Sequence, residues 1–127
     1  MIRAVLLILG IGFYIIGGLL LLVQPEEMFA RIDILFASPM AIEELRASHG
    51  GVWLCTGIAC VVSIWRRELL RPVLIYLLIF NGGYAVGRLY SFAVGSVAVT
   101  QLLPLFLFDV ALVAFALFAL RQLKVSA

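Results

Sequence analysis

The sequence predicts an all-α integral membrane protein: one domain over residues 1–127, a four-helix bundle with a short interfacial amphipathic helix between spans 1 and 2. Two observations carry this. Four apolar stretches, residues 4–23, 47–64, 73–94 and 102–120, each approach the roughly 20 residues that a helix needs to cross a hydrocarbon core of about 30 Å. Hydrophobic residues make up 65% of the chain and charged residues 13%, with a mean hydropathy of +1.22, a balance far from that of a water-soluble domain. Lipid satisfies no backbone N–H or C=O group, so each stretch must close its own hydrogen bonds as helix.

The first stretch, residues 4–23, follows Arg3 and is leucine-rich, which is also how a secretory signal begins. Its apolar run exceeds the roughly 7–15 residues of a signal's hydrophobic region, and no small-residue cleavage pattern precedes Gln24 and Pro25; it reads as a retained helix. Gln24-Pro25-Glu26-Glu27 then starts a new helix, with proline in the first turn and acids at the positive end of the dipole. Met28, Phe29, Ile32, Leu35 and Phe36 recur at helical spacing among charged residues, which predicts a short helix lying in the outer interface. It reads as an ordinary amphipathic connection, with a lid over the bundle's outer mouth as the alternative. Ser38-Pro39 looks like a second cap, so the next helix begins near Met40 and passes a charged turn, Glu43-Glu44-Leu45-Arg46, before the second stretch.

Trp65, at the inner boundary of the second stretch, and Tyr90, near the outer end of the third, suit interfacial aromatic belts. Gly17, Gly18, Gly50, Gly51, Gly57 and the pair Gly83 and Gly87 sit where helices can approach closely. Cys55 and Cys60 are five apart on one helix, face different directions and read as buried free thiols.

Orientation follows from the basic residues. Arg3, Arg66, Arg67, Arg71, Arg121 and Lys124, six of the nine Lys and Arg residues, flank segments that must share one side, and the positive-inside rule makes that side the cytoplasm. Both termini are then inside, an N-in/C-in topology, while residues 26–44 and the short connection of residues 95–101 face outward. The charges are too few and too scattered for nucleic-acid binding.

Two ionisable residues lie within the spans. By helical rise Arg88 is about 22 Å in from Val73, and Asp109 is about 10 Å in from Leu102 on the other side. That places both at similar depth, and because a lone charge there is costly, an intramembrane Arg88–Asp109 ion pair is expected. Asn81, Tyr84 and Arg88 share a helical stripe; Glu43, Arg46, Gly50, Trp53 and Gly57 form another, with His49 beside it. Glu43, Arg46, His49, Trp53, Asn81 and Tyr84 together outline a candidate pocket in the outer half of the bundle. The single histidine lacks further ligands, so no metal site is expected. No catalytic grouping appears either, and Gly82-Gly83 lies inside an apolar helix rather than a phosphate-binding loop.

The run Glu44-Leu45-Arg46-Ala47-Ser48-His49-Gly50-Gly51, then Gly57, then Gly87-Arg88-Leu89 and an acid in the last span, resembles a family of small bacterial four-helix inner-membrane proteins of unknown function. The likeness covers nearly the whole chain. That family's pattern has Arg-Ala-x-aromatic-Gly-Gly opening the second helix, Gly-Arg in the third and usually glutamate in the fourth. Here His49 stands at the aromatic position and Asp109 replaces the glutamate, so the reach to Arg88 is more demanding. The resemblance implies a fold distantly like the DoxX group and supplies no activity.

Three functions compete. The leading expectation is a noncatalytic inner-membrane protein, an accessory or assembly subunit of a larger membrane complex, because short connections leave most recognition surface facing lipid. Its partners would be membrane lipids and other membrane subunits or further copies of itself. The alternative is a small-molecule, lipid or quinone-binding membrane protein, with enzymatic activity as a variant of that reading, using the outer pocket. No cofactor is called for, although the pocket is compatible with a bound lipid or quinone. Four-helix membrane enzymes that use glutathione also carry Arg-Ala in the second helix and arginine in the third, but their asparagine and glutamate are missing here, Gly50 occupying the former position. A small proton-coupled exporter is disfavoured, since residues 4–23 hold no acid.

Overall fold

The computed structural model describes residues 1–95 and 98–125. Four helices are long and apolar enough to cross a membrane: α1 (Ile2–Val23), α3 (Pro39–Trp65), α4 (Arg67–Val94) and α5 (Val99–Lys124), with the short α2 (Pro25–Ala30) between the first two. The chain is a multi-pass membrane protein. It divides into two compact units, Met1–Arg67 and Glu68–Ala127.

In the first unit α1 and α3 run antiparallel in backbone contact. Leu6, Gly10, Tyr14 and Gly18 are buried at a strict four-residue interval, which on a regular helix of 100° per residue would drift about 40° at every step. The middle of α1, Ile8–Ile15, is wound as π-helix, whose wider turn keeps that stripe facing α3. Glycine is required where the two backbones meet. A Cβ on Gly57 would lie 2.6 Å from the Gly10 carbonyl oxygen, and one on Gly18 would lie 2.6 Å from the Leu54 nitrogen and 2.9 Å from the Gly50 oxygen. Gly10, absent from the expected packing glycines, thus sits at the centre of the crossing. Gly51 meets nothing within 4 Å.

The link between α1 and α3 is less helical than its apolar spacing suggests. α2 stops at Ala30 because Asp33 turns into the left-handed region at φ 60°. The Ile34 N–H donates to the Phe29 carbonyl and the Asp33 N–H to the Ala30 carbonyl, a Schellman closure. Leu35 and Phe36 therefore lie beyond the helix, although the Phe36 ring still packs edge-on against Phe29. α3 starts at Pro39, with Ser38 Oγ accepting from the Ala41 N–H at 3.3 Å, and ends at Trp65, where Arg66 is extended. Cys55 and Cys60 are both free thiols, the first exposed and the second buried.

In the second unit α4 and α5 run antiparallel and meet through side chains. Phe92 packs edge-on against Phe106, Arg88 reaches Asp109, and a Cβ on Gly82 would only just touch Val113. Apart from the glycine's own turn of helix, no atom of the unit comes within 4 Å of a Cβ placed on Gly83 or Gly87, so that expected small-residue contact is not made between α4 and α5. α4 closes on Gly95 at φ 66°, whose N–H donates to the Ser91 carbonyl. Of the connection that follows, Ser96 and Val97 lie outside the described residues.

Candidate functional site

The N-terminal part of α3 carries a cluster of polar residues of the first unit. Its segment Arg46–Gly51 is also π-helical, an arrangement frequent at functional sites because it re-aims side chains within an otherwise regular helix. Glu43, Arg46, His49 and Trp53 follow one another down this stretch. An Arg46 terminal nitrogen donates to Glu43 Oε1. His49 Nδ1 lies 3.0 Å from Ser48 Oγ, while its ring packs edge-on against Phe29 at 5.4 Å and lies 6.0 Å from Trp53. Trp53 continues the series, with Phe13 at 4.8 Å and Tyr14 at 5.9 Å. A run of rings thus leads from Phe36 and Phe29, in the connection between α1 and α3, through His49 and Trp53 to Phe13 and Tyr14 of α1.

Two donors in this region lack acceptors. Among the described residues Arg46 Nε and Trp53 Nε1 are buried and make no hydrogen bond. Leaving a buried donor unsatisfied costs about 1–3 kcal/mol, so these two nitrogens, both near the aromatic wall, are the groups of the first unit that call for an explanation. Phe13, Tyr14 and Phe29 were not among the expected pocket residues. Tyr14 carried a signal, a phenol inside an otherwise apolar span; the phenylalanines are indistinguishable by sequence from lipid-facing ones.

Asn81 and Tyr84, the remaining expected pocket residues, belong to the second unit. Asn81 is buried and its Nδ2 donates to the Leu77 carbonyl one turn back at 2.8 Å. The Tyr84 ring packs edge-on against Phe80 and lies 5.5 Å below the Arg88 guanidinium carbon, a cation–π arrangement. Arg88 Nε donates to Asp109 Oδ2 at 2.7 Å, with Asp109 only 7% exposed and Arg88 24%. The shorter acid is reached by the side of the guanidinium, and the ring of Tyr84 supports the cation from below. Among the described residues no group of three or more His, Cys, Asp or Glu side chains could hold a metal ion.

Neither a curated protein nor a solved structure matches the chain. Residues 1–120 match the family model described as a domain of unknown function, DUF4345. With nearly its whole length covered, the chain belongs to the DUF4345 family.

Proposed function

We propose that this chain is a noncatalytic protein of a bacterial inner membrane that binds a small, membrane-soluble, carbonyl-bearing ring compound, of which a quinone is the type, at the outer end of α1 and α3. The reading takes the four spans as one domain, a four-helix bundle distantly like the DoxX group, with both termini in the cytoplasm. The observation that carries it is the pair of buried, acceptor-less donors, Arg46 Nε and Trp53 Nε1. Glu43 already neutralises Arg46, so a phosphate there would meet a carboxylate, whereas a neutral carbonyl oxygen accepts from either donor without that repulsion. The aromatic wall offers a planar partner for such a ring.

Trp53→Phe tests this, since it removes the indole N–H and keeps a ring. With a short-chain benzoquinone as probe in nanodiscs, the wild type should bind and gain thermal stability, and the variant should lose most of both. A wild type indifferent to the probe, with Trp53→Phe more stable because a costly orphan donor is gone, overturns the reading.

The second reading, an accessory or assembly subunit that contacts other membrane subunits or copies of itself, draws support from the Arg88–Asp109 pair. Those two intramembrane charges are spent on each other, which leaves apolar side chains such as Ile79, Val86 and Leu107 on the outer sides of their helices. Native mass measurement after gentle extraction distinguishes the two: a small bound mass supports the first, a copurifying subunit the second.

A further inference from the structure

We infer that the end of the second unit opposite the Arg88–Asp109 pair holds an anionic phospholipid, its phosphate among Arg71, Arg121 and Lys124 and an acyl chain along Ile75, Leu117 and Leu120. These six residues line a cavity of about 280 Å³ between the start of α4 and the end of α5. Its polarity is graded in the sense of a lipid. On α4 the cation Arg71 is one turn nearer the helix start than Ile75; on α5 Arg121 and Lys124 are one turn nearer the helix end than Leu117 and Leu120. Both helices thus offer charge at the membrane boundary and apolar surface one turn deeper.

Among the described residues that charge is unopposed: no acid lines the cavity, and none of the three cations enters an ion pair, those pairs being Arg31–Glu27, Arg46–Glu43 and Arg88–Asp109. Three like charges on one small cavity repel each other, and a phosphate relieves that repulsion while an acyl chain covers Ile75 and Leu117, both of which are exposed. Free phosphate would satisfy the cations and leave the apolar floor bare; the floor is the reason to name a lipid. The occupant is independent of whatever the outer end of the first unit binds.

The experiment compares phosphatidylglycerol with phosphatidylcholine nanodiscs, followed by release into detergent and native mass measurement of retained lipid. The wild type should retain phosphatidylglycerol in preference to phosphatidylcholine, and each of Arg71→Gln, Arg121→Gln and Lys124→Gln should weaken retention about fivefold, as removal of one cation near an anionic surface does. Leu117→Gln, which keeps every charge, should weaken it too. Millimolar inorganic phosphate should not displace the lipid. Equal retention of both lipids, no effect of the triple glutamine variant when circular dichroism shows it folded, or full displacement by phosphate would overturn the assignment.

Discussion

At the scale of single residues, one buried charge contact stands out in the second unit. Arg88 and Asp109 are 2.7 Å apart, and removing either alone strands the other in a medium that cannot solvate it, at an expected cost of about 3–5 kcal/mol. Removing both should cost less than the sum of the singles. Thermal unfolding of Arg88→Leu, Asp109→Leu and the double variant in detergent checks this, and strict additivity would mean that the pair contributes no coupling. The partnership was legible because depth along a helix follows from counting residues at a fixed rise. The orphan donors were not: Arg46 and Trp53 could be named from their stripe, but which nitrogen lacks an acceptor depends on side-chain rotamers that no periodicity encodes.

At the scale of elements, the two units join their helices by different means, and small residues have different weights in each. A methyl on Gly57 would strike the Gly10 carbonyl and Ile15, at 2.6 Å each and including backbone, so Gly57→Ala should cost about 1–3 kcal/mol through overpacking. Gly83→Ala meets no atom of its own unit beyond its own turn of helix and should be neutral or gain up to about 1 kcal/mol in helix propensity. Melting temperatures of the two variants, measured side by side, should therefore move apart; a loss of equal size would show that Gly83 is covered after all. Helix existence and the Ser38 cap were readable from apolar length and turn chemistry. The early stop of α2 was not, because the apolar residues at 32, 35 and 36 keep helical spacing while Asp33, a residue that tolerates the left-handed region, breaks the chain between them. The π-helical windings also escape a reading that assumes 100° per residue, and with them went the role of Gly10.

At the scale of the whole molecule, four spans follow from hydropathy, and charge, an independent property of the same sequence, predicts their orientation. Arg3, Arg66, Arg67, Arg71, Arg121 and Lys124 flank the helix ends that an even number of crossings puts on one side, whereas residues 26–46 carry five acids against Arg31 and Arg46. Lys and Arg near span ends resist translocation, so the basic side is expected in the cytoplasm. A Glu68→Cys variant provides the decisive position, since it lies among the basic residues at the start of α4, and a Glu27→Cys variant provides its opposite in α2. Native Cys55 and Cys60 both lie within the α3 span, where an impermeant maleimide does not reach them. In intact cells the reagent should label the cysteine at 27 and spare the one at 68, and permeabilisation should expose both. Labelling at 68 in intact cells would invert the topology and move the Arg71, Arg121 and Lys124 cavity to the outer leaflet, where its preference for anionic lipid could be measured again on the same nanodiscs without change to the binding chemistry.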